Sequence, residues 1–450
     1  MTRSLLWVLW VAVFWVGATS PVRAEPKIAY QSFQLPNGLR VHVIEDHKAP
    51  LIYQVMLFHV GSKDEVANRT GFAHLFEHLM FKGSTHLPDG LLDRLFEAAG
   101  GSTSAFTDGD ITLYHNVASA NFLEMMMWSE ADRLAGLIDT LDQPKLDNQR
   151  DVVLNERRQN YENRPYGMAS ILIKNRLWPK DHGYHWPTIG YAADLRAAAL
   201  PDVARFFKTY YVPNNVTMVI AGDVAFDDVK RLATQYFAWI PKASEPARPR
   251  YRAPAPLTEP VVLHTTDEVK APRVYLSWRG PAVFTAEEAP LALAAAVLGG
   301  GKSSRLYQRL VYDEKIAQDV VAWFDADSLA GVFQIRATAK PGVDPARLIT
   351  EITEEVGKLA AAGPSPDELE RAQSAFESDL LHRLESLYLR AVQLAYYDVI
   401  VHDPAYLAND LARYRAVTTK ALRAAAATHL PPTARVVLTI EPGKKPEGLP

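Results

Sequence analysis

Cysteine is absent from this 450-residue chain. Its absence excludes disulfide bonds, thiolate metal ligands and a lipid-modified cysteine at a processing site. An excess of charge is also missing, because 48 basic residues balance 52 acidic ones, for a formal net charge of −4. Such a balance offers no broad basic surface for nucleic acid or for an anionic membrane. We therefore expect neither as a partner of this chain.

Long apolar runs are scarce, and the one clear example lies near the start of the chain. Arg3 precedes an apolar run from Leu5 to Ala18, and Val22-Arg23-Ala24 offers small residues for cleavage. This pattern predicts a signal peptide over residues 1–24. An uncleaved anchor is the alternative, although the run is shorter than the ~20 residues that span a bilayer. We expect export to a bacterial periplasm and no membrane span after cleavage.

The length of the chain predicts more than one domain. Between Pro241 and Pro260, six prolines occur without hydrophobic periodicity, which is typical of an extended linker. Strand and helix patterns follow one another in similar order on both sides of it. We therefore predict an N-terminal domain at 25–240, a linker at 241–260 and a C-terminal domain at 261–450, related by internal duplication.

Local signals place several elements along the chain. Pro36-Asn37-Gly38 lies between two alternating runs and predicts a β-hairpin. Thr285 with Glu288, and Ser365 with Glu368, have the spacing of capping boxes at helix starts.

One helical stretch carries polar residues that an ordinary core helix would not need. In Gly71–Gly83, His74 and His78 are four residues apart and share a helix face, which Glu77 borders. Two imidazoles one turn apart can chelate zinc, and the glutamate beside them can act as a base. This H-x-x-E-H order is a known metallopeptidase motif. The alternative is a buried helix whose two histidines are simply hydrogen-bonded.

A catalytic zinc ion needs a third protein ligand, and its fourth position holds water. The residues alone leave several acidic candidates open as that ligand, namely Glu130, Asp132, Asp151, Glu156 and Glu162.

The stretch Gly71–Gly83, preceded by Gly61-Ser62, resembles the pitrilysin/insulysin family of zinc metallopeptidases. The half-size branch, which includes the mitochondrial processing peptidase β subunit and bacterial periplasmic relatives, is the most similar. The resemblance implies an α+β fold of two homologous α/β-roll domains, each a mostly antiparallel sheet packed with helices, that together form a half-clamshell. It also implies that Glu156 is the third ligand of one Zn²⁺ per chain.

The same resemblance implies a zinc-dependent endopeptidase or oligopeptidase in which Glu77 is the general base. An extended peptide would add as a strand to a sheet edge formed by four residues, Ser104, Ala105, Phe106 and Thr107. Core packing is the alternative role for this segment. Where the family has a second glutamate seven residues before the third ligand, this chain has Gln149, which lacks the charge but can still form hydrogen bonds.

The second half departs further from the family pattern. Active members carry an arginine and a tyrosine that hold the substrate, and the corresponding positions here are Val311 and Gln318. This departure predicts a heterodimer in which a homologous subunit supplies the Arg/Tyr pair, with self-association or a monomer as the alternatives. A non-catalytic peptide-binding or scaffold subunit is the competing function.

Overall fold

The computed structural model of the chain describes residues 26–446 and residue 448. The signal peptide predicted over residues 1–24 lies outside this part of the chain. Within the described residues, none of the helices combines the length and the apolar character needed to cross a membrane.

The first half is built around a six-stranded sheet in the order β1-β2-β6-β3-β5-β4. In this sheet β2 and β6 are parallel, and the other neighbouring strands are antiparallel. Its elements are β1 (Gln31–Gln34), β2 (Arg40–Glu45), β3 (Leu51–Phe58), α1 (Phe72–Leu79), α2 (Leu91–Ala98), β4 (Ser102–Thr107), β5 (Thr112–Ser119), α3 (Leu123–Thr140), α4 (Gln143–Arg157), α5 (Ala169–Leu177), α6 (Ala192–Ala197), α7 (Leu200–Tyr210), β6 (Val216–Gly222) and α8 (Phe226–Phe237).

The second half contains a five-stranded sheet in the order β7-β11-β8-β10-β9, again with one parallel pair, β7 and β11. Its elements are β7 (Val261–Asp267), β8 (Arg273–Gly280), α9 (Glu288–Gly299), β9 (Ala317–Ala326), β10 (Gly331–Ala339), α10 (Pro345–Ala362), α11 (Pro366–Arg383), α12 (Leu387–Ile400), α13 (Leu407–Arg415), α14 (Thr419–His429) and β11 (Val436–Pro442). If β7 is matched to β2, the strand order equals that of the first sheet without β1. This shared topology supports the predicted duplication.

The hairpin predicted at Asn37-Gly38 joins β1 to β2, where Gly38 has a φ of +92° and its N–H donates to the Leu35 carbonyl. At Ser365 the predicted capping box is present, with Glu368 as its partner. The box predicted at Thr285 is wrong. That hydroxyl donates to the Ala282 carbonyl instead, and α9 begins only at Glu288.

One helix from each half packs on the sheet of the other half. On the first sheet, α1, α3, α4, α7 and α8 pack on one face, and α12 from the second half covers the opposite face. On the second sheet, α5 from the first half covers the face opposite α9, α10 and α14. Both sheets are therefore buried on two sides, and the halves share apolar contacts well beyond the segment 241–260, which forms neither helix nor strand. We keep that segment as a proposed domain boundary.

An ion pair anchors α12 to the first sheet. Asp398 accepts a hydrogen bond from Arg40 Nε at 2.7 Å and another from the Thr217 hydroxyl, and His42 Nε2 lies 3.5 Å away. Burial alone would raise the pKa of Asp398. The nearby His42 ring, the hydrogen bond from Thr217 and the charge of Arg40 outweigh burial and hold that pKa well below its usual range.

We expect Asp398→Asn to destabilise the protein by about 2 kcal/mol at pH 7, the usual worth of a hydrogen bond to a charged group. Because the folded pKa is depressed, the carboxylate stabilises the fold above its unfolded pKa of about 3.9, and this contribution is lost as pH falls below that value. Urea unfolding of both proteins should therefore show a gap at pH 7 that narrows below pH ~4. A gap of constant size over this range would contradict the assignment.

Candidate metal centre

Helix α1 presents its two histidines and Glu77 along one partly exposed side, and buries Leu75, Phe76 and Leu79 on the other. Gly71, the residue directly before α1, has a φ of +85° and offers no side chain as a cap. The buried carboxylate of Glu65 supplies one instead, accepting the Gly71 and Ala73 N–H groups at 2.8 Å each. A carboxylate at a helix N-terminus also complements the helix dipole.

Sequence reasoning did not identify Glu65. The available signal was an acidic residue in the loop before a helix that glycine directly precedes, but many loop acids share that description. Only the folded loop shows that its side chain reaches the start of α1.

The third predicted ligand lies at the C-terminal end of α4, a helix capped by Asp142, whose side chain accepts the Lys145 N–H. Glu156 Oε2 is 3.2 Å from His78 Nε2 and 3.6 Å from His74 Nε2. One ligand atom from each of the three residues lies within 4.8 Å of the others. A tetrahedral ion with bonds of about 2.0–2.1 Å sets its ligand atoms roughly 3.3–3.4 Å apart, so the trio matches the size of a zinc site.

In the described part of the chain, no other trio of His, Asp or Glu brings its ligand atoms this close. The carboxylates that the sequence left open as alternatives have other surroundings: Glu130 with Arg133, Asp132 with His86, Glu162 with Arg157, and the exposed Asp151.

The electrostatic state of α1 suits ligation and proton transfer. Burial, together with the neighbouring His78, lowers the pKa of His74 to about 4, which keeps its imidazole neutral and able to bind a metal. Burial raises the pKa of Glu77, and a hydrogen bond from the Thr107 hydroxyl to Glu77 Oε2, at 2.6 Å, opposes that rise. A carboxylate with a raised pKa is a better proton acceptor near neutral pH.

Strand β4 forms the edge of the first sheet, as predicted for residues 104–107. Its side chains alternate between the two faces. Thr107 contacts Glu77, and Ala105 packs against the core beneath α1. Ser104 and Phe106 are exposed and lie on the alternate positions, so they face away from α1. Of the four predicted substrate-binding side chains, only two lie on the face of β4 that is turned toward the candidate ligand trio.

The remaining predicted positions have structural contacts. Gln149 is buried on α4, and its amide nitrogen donates to Asn148 Oδ1 at 2.7 Å. Val311 packs against the core of the second half, and the Gln318 amide donates to the Ala339 carbonyl at 2.8 Å within the second sheet. Neither of these two offers the cationic or phenolic group of the family's Arg/Tyr pair.

Two family models match the chain, one in each part. Residues 40–177 match "Insulinase (Peptidase family M16)", and residues 198–376 match "Peptidase M16 inactive domain". The first range contains all three residues of the ligand trio, and the second contains none of them. The proposed ligands thus lie only in the range that matches the insulinase model.

Relatives and solved structures agree with these matches. The zinc protease PqqE of Helicobacter pylori is 30% identical over 389 residues, which cover 85% of this chain and 86% of that protein. The probable mitochondrial-processing peptidase subunit beta of Arabidopsis thaliana is 26% identical, over 78% of this chain and 67% of its own length. The crystal structure of a protease from Helicobacter pylori superposes with a TM-score of 0.85 at 28% identity, covering 93% of this chain and 100% of that one.

Proposed function

The chain belongs to the M16, or insulinase, family of peptidases, and from that premise we propose that it is a zinc-dependent endopeptidase or oligopeptidase acting on extended peptides. The observation that carries the proposal is the convergence of His74, His78 and Glu156 beside Glu77. The names of the relatives, which include several zinc proteases, support a peptidase role at the level of the family.

His74, His78 and Glu156 would hold one Zn²⁺ per chain, which when bound supplies a Lewis acid that polarises the peptide carbonyl. Glu77 Oε2 accepts a hydrogen bond from the Thr107 hydroxyl, and this bond fixes the position of the carboxylate. Glu77 Oε1 is then left to take a proton from the attacking water. The same oxygen then returns the proton to the leaving amine, and proton transfer of this kind is typically worth about 10²–10⁴-fold in rate.

The substrate is proposed to bind as an added strand along β4, through main-chain hydrogen bonds at the sheet edge. Because Ser104 and Phe106 face away from α1, their contribution near the metal would come from the backbone. Recognition through the backbone predicts loose sequence preference and a requirement for short or unfolded substrates.

We expect Thr107→Val to lower kcat by roughly 10-fold or more, since it removes a hydrogen bond to a charged group while keeping the side-chain shape. Thr103→Val is the matched control. Thr103 lies on the same face of β4, and its buried hydroxyl has no hydrogen-bond partner among the described residues. Peptide hydrolysis by the Thr103→Val control should therefore change less than about two-fold. Equal losses in both variants would show that Thr107 acts only through strand packing.

Subunit composition and location extend the proposal. The lack of an Arg/Tyr pair at Val311 and Gln318 favours a catalytic subunit that pairs with a homologous chain bearing that pair. The same missing pair, together with Gln149 in place of the family's second glutamate, supports the second candidate function, a non-catalytic peptide-binding or scaffold subunit. The signal-peptide pattern at residues 1–24 leads us to propose the periplasm as the location.

The test is hydrolysis of a quenched fluorescent peptide mixture by the purified chain from Glu25, with and without a chelator. Each assay is repeated with a candidate partner that carries the Arg/Tyr pair. Chelator-sensitive activity of the chain alone supports the peptidase and contradicts the obligate heterodimer. Activity that appears only when the two chains are mixed supports both the peptidase and the heterodimer. If no assay shows hydrolysis although the chain binds zinc, the catalytic function is overturned in favour of the binding subunit.

A further inference from the structure

The two helices that bear the ligand trio are far apart in the chain, so something must set their separation in the fold. Gly190, between α5 and α6, lies directly against the start of α1. It has a φ of +76°, and a Cβ placed there would stand 2.5 Å from Gly71 Cα and 2.6 Å from the Thr70 carbonyl oxygen. The two backbones therefore touch, one helical turn before His74.

Hydrogen bonds hold this contact on the α1 side. The Thr70 hydroxyl donates to Asp194 Oδ2 at 2.6 Å, and the Tyr191 N–H donates to the Thr70 hydroxyl oxygen at 2.9 Å. Hydrogen bonds therefore tie residues 190–194 to Thr70, directly before the first turn of α1, whose N–H groups Glu65 caps.

Arg157 makes the matching connection on the α4 side. It is buried, it follows Glu156 directly in the chain, and its Nη1 donates to the Gly190 carbonyl at 2.8 Å. Its Nε donates to Glu162 Oε1 at 3.1 Å, which orients the guanidinium. Gly190 thus touches α1 through its backbone and α4 through Arg157.

We propose that Arg157 is a positioning residue, which acts through Gly190 to set the distance between Glu156 and the histidine pair. This inference rests on the proposed metal centre. It assigns to Arg157 a role in metal affinity and geometry rather than contact with the substrate.

The experiment is titration of Co²⁺ into the metal-free chain, followed through its visible absorption, with affinity measured against a competing chelator. For Arg157→Met we expect an altered absorption spectrum and a metal affinity lower by about 10–100-fold, the usual cost of losing a group that orients a ligand. The kcat for peptide hydrolysis should fall while KM changes little.

Arg150→Met is the matched control. Arg150 also lies on α4, and its Nη1 donates to the Arg196 and Ala198 carbonyls at 3.1 and 2.8 Å, so it ties the same helix to the neighbouring segment. It lies almost two turns from Glu156, and its loss should leave the Co²⁺ spectrum unchanged. If Arg150→Met weakens binding as much as Arg157→Met does, general anchoring of α4 explains the effect and the inference is overturned.

Gly190→Ala provides a second route if Arg157→Met does not fold. It keeps Arg157 but forces the Gly190–Gly71 contact apart, so it should produce an altered Co²⁺ spectrum as well. An unaltered spectrum in Gly190→Ala, or in a folded Arg157→Met, would overturn the positioning role and leave the proposed peptidase intact. Failure of the unaltered chain to bind Co²⁺ would overturn both.

Discussion

Glu77→Gln should reduce peptide hydrolysis by about 10²–10⁴-fold while the chain keeps its zinc. Glutamine has nearly the same shape and can still accept the Thr107 hydroxyl, but it cannot take up the proton of the attacking water. The measurements are kcat on a fluorogenic peptide and the zinc content of the purified variant. Glu97→Gln, on the exposed side of α2, is the control and should leave both unchanged.

The outcome of that experiment separates the candidate functions. Zinc retained with hydrolysis lost supports Glu77 as the general base, whereas zinc retained with unchanged hydrolysis contradicts it. If neither protein hydrolyses peptides but both bind them equally well, the binding-subunit function is supported. A purely structural zinc fits the geometry poorly, because structural sites usually close with four protein ligands and the described residues supply three.

The parts of the fold that sequence patterns predict well have strong local signals. The hairpin at Asn37-Gly38 and the capping box at Ser365 follow turn and cap chemistry over a few residues. The pairing of β7 with β11 is different, because two parallel strands from distant parts of the chain have no connecting turn to signal their contact.

Exchange of α5 and α12 between the halves lay beyond sequence reasoning for a related reason. Apolar periodicity shows that a helix buries one face, but it does not show against which sheet. Ala391 and Leu394 of α12 would satisfy the same pattern in the second half, yet they pack on Val55 and Leu57 of the first sheet.

The candidate site shows the same division between local and distant information. His74 and His78 share a helix face by spacing alone, so their convergence follows once the helix forms. Glu156 is distant in the chain from the two histidines, and other acidic residues could ligate a metal equally well. Before the fold was known, only the family resemblance selected Glu156 among them. Glu65 and Arg157 act through backbone groups of other segments, and a sequence carries no local mark of such contacts.

Glu156→Gln is the second large effect that we expect. It replaces a charged ligand by a neutral amide of the same shape. Loss of a residue that only orients a metal ligand typically lowers metal affinity by about 10–100-fold, and loss of this ligand charge should lower zinc affinity by more than that. Since a ligand that binds only the folded state raises its stability in proportion to the logarithm of affinity, zinc should raise the unfolding temperature of the variant less than that of the unaltered chain. Peptide hydrolysis should fall with the bound metal.

Asp151→Asn provides the control for this prediction, because it removes a carboxylate from the same helix at a position exposed to solvent. By residue type and position on the helix alone, without the family resemblance, Asp151 is as plausible a ligand as Glu156. In the structure, only Glu156 has an oxygen 3.2 Å from His78 Nε2 and 3.6 Å from His74 Nε2. Zinc should therefore protect the Asp151→Asn protein from unfolding as fully as the unaltered chain. Equal zinc protection of both variants would show that the third ligand comes from elsewhere, and an equal loss in both would attribute the effect to the charge of α4 rather than to ligation.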